Sequence, residues 1–144
     1  MKKYPLLLAL LAVSLLVPAS LRAELVVIAN PESRVSELTR RELINIFMGR
    51  YRKLPSGIAA LPVDLGPLRA EFYRELVNKD MAEINSYWAR LMFSGQASPP
   101  LQIETEKDLL DYVRRNPGAI GFVDSAEVPD DLVVVMSFAG QPAP

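Results

Sequence analysis

No histidine and no cysteine occurs anywhere in the 144 residues. Their absence removes the imidazole and thiolate ligands favoured by transition metals, together with the Ser-His and Cys-His pairs of nucleophilic catalysis. Carboxylate chemistry remains formally open, but no constellation of acids supports it, so the chain reads as a non-enzyme without cofactor or metal. The stretch with chemical potential is Leu61-Pro62-Val63-Asp64-Leu65-Gly66-Pro67-Leu68-Arg69. It reads as a strand, a tight turn and the first turn of a helix. In open α/β sheets ligands lie beyond the carboxyl ends of strands, and helix N-termini favour anions through free N–H groups and the macrodipole. Asp64, Gly66, Leu68 and Arg69 are therefore the candidate ligand-binding residues. Gly66 and Leu68 would offer backbone N–H groups and Arg69 its guanidinium, while Asp64 would suit only a ligand oxygen that carries a proton. The simpler reading of the same residues is a strand-to-helix connection, with Arg69 paired to Asp64, Glu71 or another acid.

The elements that must position these residues follow from the apolar pattern. Residues 58–63 are mostly apolar, which suits a strand covered on both faces. Pro67 fits the first position of a helix, and Leu68, Phe72 and Leu76 give that helix an apolar stripe. Upstream, residues 24–29 are rich in β-branched side chains and predict the first strand. Thr39-Arg40-Arg41-Glu42 is a capping box that starts a helix ended by Gly49. Downstream, Asp80 and Glu83 cap a second helix, in which Ile84, Tyr87, Trp88, Leu91 and Met92 form the inward stripe before Gly95 ends it. Residues 96–100 read as irregular. Thr105 caps a helix with Leu109, Leu110 and Val113 inward, and Asn116-Pro117-Gly118 terminates it. Residues 119–123 and 132–136 are the remaining strands, which brings the sheet to about four strands in a single α/β layer fold.

Residues 1–23 stand apart from this domain. Lys2 and Lys3 open the chain, residues 6–17 are an almost unbroken apolar run, and small residues follow at Ala19, Ser20 and Ala23. This is the pattern of a secretory signal peptide, with cleavage after Ala19 or Ala23, and it predicts a periplasmic protein. The run is shorter than the ~20 apolar residues of a membrane span, and an uncleaved N-terminal anchor is the alternative. Without residues 1–23 the chain carries 13 basic and 17 acidic residues, a net charge of −4. That balance argues against nucleic-acid binding, which needs a basic footprint. The remainder divides into one domain over residues 24–138 and a frayed tail over 139–144. A domain of this size buries roughly two-thirds of its unfolded surface, enough for a core without disulfides. Arg40, Arg41, Arg50, Arg52 and Lys53 form the one basic cluster. It reads either as a solvated loop or as a docking face for an acidic partner or anionic lipid headgroups.

Four segments, in order, resemble the phosphate ABC-transporter substrate-binding protein family. Asn30-Pro31 followed by Leu38-Thr39-Arg40-Arg41-Glu42-Leu43-Ile44-Asn45-Ile46-Phe47-Met48-Gly49-Arg50 is similar to that family's first helix. Val63-Asp64 with Arg69 and Phe72 resembles the "PVD…LRxxF" stretch of its short members. Tyr87-Trp88-Ala89-Arg90-Leu91-Met92-Phe93-Ser94-Gly95 and Asn116-Pro117-Gly118-Ala119-Ile120-Gly121-Phe122-Val123 supply the other two. The resemblance implies a type II periplasmic-binding-protein-like fold reduced to a single three-layer lobe with a mixed sheet. It also implies an exported solute-binding-type domain that takes phosphate or a similar small oxyanion for uptake or sensing, with an inner-membrane transporter or sensor as partner. The chain departs from the family in two ways: it supplies one lobe where full-length members use two, and Leu65-Gly66-Pro67-Leu68 lacks the hydroxyls of their Ser-Gly-Thr type turn. These departures support an alternative, an exported protein-interaction module that docks on a transporter or sensor without binding phosphate. A homodimer that builds a two-sided cleft would reconcile the two.

Overall fold

The structure, a computed structural model, describes residues 24–141. The signal-peptide expectation and the last residues of the tail lie outside the described residues. In chain order the elements are β1 (Leu25–Ala29), α1 (Arg40–Phe47), β2 (Leu61–Leu65), α2 (Arg69–Val77), α3 (Met81–Phe93), β3 (Leu101–Ile103), α4 (Glu106–Arg115), β4 (Ala119–Asp124) and β5 (Val133–Ser137). The strands form one mixed sheet in the order β3-β2-β4-β1-β5. β2 is parallel to β3 and β4, whereas β1 is antiparallel to β4 and β5. The carboxyl ends of β2, β3, β4 and β5 therefore share one edge, together with the amino end of β1.

Helices cover both faces, and alternation along β4 shows how. Phe122 stacks on Phe72 of α2 at 3.8 Å between ring centroids, and Phe72 meets Phe47 of α1 edge-on at 4.8 Å. The neighbouring Gly121 points to the other face, where a Cβ would come within 3.1 Å of Leu109 on α4. Successive residues of a strand project to opposite sides, so this one pair of positions fixes α1 and α2 on one face and α4 on the other.

The sheet has one strand more than the pattern predicts. β3 is three residues long, too short to show periodicity, and is held by parallel pairing of Leu101, Gln102 and Ile103 with Val63, Asp64 and Leu65. The boundaries of β2 also shift. Residues 58–60 fold back on the preceding loop, with Lys53 bridging Ala59 and the Ala60 N–H bonded to Arg52 O, so the strand proper begins at Leu61. The next α-helix starts two residues after Pro67, the expected first position. Gly66–Leu68 is a 3-10 turn led by Pro67, and α2 begins at Arg69 without a side-chain cap.

Both capping boxes form as the sequence predicts. Thr39 Oγ1 accepts from the Glu42 N–H at 3.2 Å and Glu42 Oε2 accepts from the Thr39 N–H at 2.8 Å; Asp80 and Glu83 repeat the exchange at α3. Each cap stabilises its helix by ~1 kcal/mol. Gly49 takes φ +79° just past α1, and a Cβ there would lie 2.9 Å from Trp88 Cη2, so both conformation and space require glycine. Trp88 is buried against this turn, and Ile84 is buried one turn earlier on α3. The stripe of α3 is narrower than predicted, because Met92 lies 54% exposed.

Candidate functional site

Asp64 is the fourth residue of β2 and faces α2. Its side chain is 1% exposed, and Oδ2 accepts a 2.8 Å hydrogen bond from Arg69 Nε in a salt bridge. The Tyr73 hydroxyl donates to the same carboxylate, lying 3.0 Å from Oδ1 and 3.2 Å from Oδ2. Arg69 opens α2 and Tyr73 follows four residues later, so one helical turn aligns both donors on the face that covers the strand end. Arg69 also donates from Nη1 to Asn85 Oδ1 of α3 at 3.3 Å, and its guanidinium carbon lies 5.8 Å from the Tyr73 ring centre. Nη2 has no hydrogen-bond partner among the described residues, and the side chain is 18% exposed.

Burial sets the electrostatics of this cluster. Loss of water pushes the Asp64 carboxyl above its ordinary value, and the Arg69 and Tyr73 hydrogen bonds and the Arg69 charge oppose that shift only in part. Burial, reinforced by the Asp64 carboxylate, also pushes the Tyr73 hydroxyl up, so Tyr73 acts as a neutral donor. The three groups form a satisfied, nearly neutral unit rather than a free cation.

The other expected ligand groups lie close by, and each is compromised as an anion donor. A Cβ on Gly66 would come within 2.9 Å of Glu104 Cδ, so the Glu104 carboxylate already lies over the turn. Gln102 Nε2 holds Glu104 Oε1 at 2.7 Å. Pro67 has no N–H to give. Leu68 is half-buried and precedes the first α-helical residue. Asp124 ends β4 and Glu106 begins α4, on the same carboxyl edge. Burial pushes the Glu106 carboxyl up, and a hydrogen bond with Glu127 and the charges of Glu127 and Asp124 add to the shift. The edge to which an oxyanion would come is therefore acidic. Among the described residues, no group of three or more carboxylates is arranged to hold a metal ion, and no helix is long and apolar enough to cross a membrane.

The structure thus brings Asp64 and Arg69 into direct contact and places Gly66 and Leu68 in the turn between them. Tyr73, Asn85 and Glu104 were not singled out by sequence. Tyr73 carried a signal: it stands four residues after Arg69, and a buried carboxylate needs more than one donor. Glu104 carried none, because it reaches Gly66 only through the pairing of the three-residue β3.

A mixed five-stranded sheet with helices on both faces makes this an α/β domain. Its fold is similar to an ABC-type phosphate transport receptor from Vibrio cholerae, with a TM-score of 0.61 at 16% identity, covering 78% of this chain and 45% of that one. It is also similar to a protein from Clostridium perfringens named as a phosphate ABC transporter substrate-binding protein and solved with bound phosphate, with a TM-score of 0.59 at 15% identity, covering 78% and 44%. A third likeness, to a protein from Planctomyces limnophilus described as phosphate-binding, has a TM-score of 0.54 at 16% identity and covers 78% and 40%. The chain thus spans less than half the length of these solved structures. No protein-family model matches the sequence, and no curated protein matches it.

Proposed function

We propose that this chain is an exported, single-lobe domain of the solute-binding type that works by docking on a membrane transporter or sensor rather than by capturing free phosphate alone. The observation that carries this reading is the Asp64–Arg69 pair. The cation expected to meet an oxyanion is already neutralised by a buried carboxylate at 2.8 Å. Glu104 over Gly66 adds a second carboxylate where backbone donors would have to reach the ligand. A dehydrated phosphate loses strong hydration and needs several charge-assisted donors in return. Export is part of the proposal and rests on the residue 1–23 pattern. The likeness to transport receptors supports a transporter-side partner.

The second reading, phosphate or a similar small oxyanion at Asp64, Gly66, Leu68 and Arg69, is favoured by one specific observation. Asp64 fixes Arg69 through Nε and leaves Nη2 without a partner among the described residues, a geometry that presents one guanidinium edge outward. Its fold neighbours include a phosphate-bound protein.

A thermal melt of residues 24–144 against rising phosphate, with sulfate and chloride as controls, separates the two. A ligand at a thousand times its dissociation constant adds ~4 kcal/mol, which moves the midpoint by several degrees. The docking reading expects no phosphate-specific shift. A saturating shift that disappears in Arg69→Ala establishes the oxyanion reading instead.

A further inference from the structure

The opposite electrostatic arrangement lies where the loop after α1 meets the end of α3. A cavity of about 620 Å³ opens there, walled by Tyr51, Arg52, Trp88, Met92 and the segment after Gly95. Its volume falls within the usual range for a small-ligand or side-chain pocket. Arg52 Nη2 donates to Gln96 O at 3.3 Å and ties the two sides together. Two apolar side chains of its wall are uncovered, Tyr51 at 49% and Met92 at 54% exposure, and the 98% exposed Phe93 continues the apolar surface beside Met92. Arg52 lines it, and Arg50 and Lys53 flank the lining Tyr51 and Arg52 in the chain; all three cations are exposed. None of these three takes part in an ion pair among the described residues. On a chain whose domain is net acidic, three cations close together in the chain, without ion pairs and beside uncovered apolar side chains, make a surface suited to an acidic partner.

We propose that this cavity and its rim dock an acidic peptide segment of a protein partner, with one apolar anchor side chain in the cavity and carboxylates against Arg50, Arg52 and Lys53. Charge complementarity selects the acid, and the exposed Tyr51 and Met92 of the cavity wall select the apolar anchor. A free small oxyanion fits less well. The cavity sits at the C-terminal ends of α1 and α3, marked by Gly49 and Gly95, where carbonyls rather than N–H groups point outward. A lipid surface fits less well too, since a concave site leaves its floor unfilled against a bilayer.

The inference rests on the docking reading and names its surface, and its test is independent of phosphate. A random peptide display library is selected against residues 24–144, in parallel with an Arg50→Glu/Arg52→Glu/Lys53→Glu variant. Enriched peptides with Asp or Glu flanking Leu, Ile or Phe are expected, losing at least tenfold in affinity on the charge-reversed variant and on Met92→Ser. Trp88 is the lone tryptophan and lines the cavity, so its emission is expected to change on titration with the best peptide. Circular dichroism confirms that the variants fold. No enrichment, peptides without acidic bias, or affinity indifferent to both variants overturns the proposal. Binding to phosphatidylglycerol vesicles in place of peptides also overturns it, in favour of a membrane surface. A phosphate-induced melt shift beside such peptide binding adds an oxyanion site at Arg69 and still supports this docking surface. A phosphate shift without peptide binding overturns both the docking reading and the surface.

Discussion

The Asp64 cluster and the Arg52–Met92 flank are both built from a strand or helix end and the loop that meets it, yet their charges are arranged in opposite ways. At Asp64 the charged and hydroxyl groups find their counterparts nearby in the chain or on the adjacent α3: Arg69 and Tyr73, five and nine residues on, close on the carboxylate, and Asn85 closes on Arg69. At the flank the cations face water and the apolar side chains have nothing over them. The strand-to-helix turn at Asp64 is where the sequence pattern leads one to look for a ligand, but this sequence uses the groups there to hold β2 to α2. The surface left unsatisfied lies elsewhere. A position in a fold therefore does not carry its use with it, and the balance of local charges has to be read afresh.

The sharpest way to break this contrast is Asp64→Ala. If the carboxylate is a structural clasp, its loss strands a guanidinium and a buried hydroxyl. Removing one partner of a buried ion pair costs about 3 kcal/mol at the low end of the usual range, and the low end applies because Arg69 retains access to water. Chemical denaturation of the variant measures this directly. A cost under about 0.5 kcal/mol, the size of an ordinary surface substitution, would mean that the cluster does not hold the fold and its charges are free for a ligand.

A smaller effect follows from the Asp64 titration. Burial raises this carboxyl above its ordinary value of 3.8, so the folded state holds the proton more tightly than the unfolded chain does. Its contribution to stability is then complete below 3.8 and declines as the pH rises through the folded-state value. In Asp64→Asn that decline is absent. The gap in stability between variant and natural chain should therefore move in the variant's favour as pH rises through this window, read from urea midpoints at a series of pH values. A gap that moves the other way would show that the Arg69 and Tyr73 contacts outweigh desolvation, and that the pair is a stronger clasp than its burial implies.

Which parts of this were legible in sequence depended on how local the signal was. The capping boxes at Thr39 and Asp80 and the glycine stop at Gly49 rest on contacts within four residues, and they form as read. The likeness to phosphate-transport binding proteins was legible from four ordered segments and agrees with the fold. β3 was missed because three residues give no period, and with it went Glu104, whose approach to Gly66 depends on parallel pairing 38 residues further along the chain from Gly66. Asp64 and Arg69 were found as a pair of residues. Whether they would face each other or a ligand depended on Tyr73 and on the packing of α2, which no spacing rule sets. Met92 was placed inward by the same periodicity that correctly buries Ile84 and Trp88. It falls at the last turn of α3, where the core has ended and the stripe runs out over solvent.

The smallest expected effect is the one that isolates the flank. Phe93 is 98% exposed, so its ring gains almost nothing from burial in the folded domain. Phe93→Ser should therefore change stability by no more than about 0.5 kcal/mol, the range of surface substitutions that touch no special feature. The same change should improve solubility, because an uncovered aromatic beside Met92 is a point of association. A loss well above that range, together with a concentration-dependent melting midpoint, would mean that copies of the chain already cover Phe93 in solution. The flank would then be satisfied from outside just as Asp64 is satisfied from within, and the contrast between the two regions would become one of distance along the chain rather than of unmet charge.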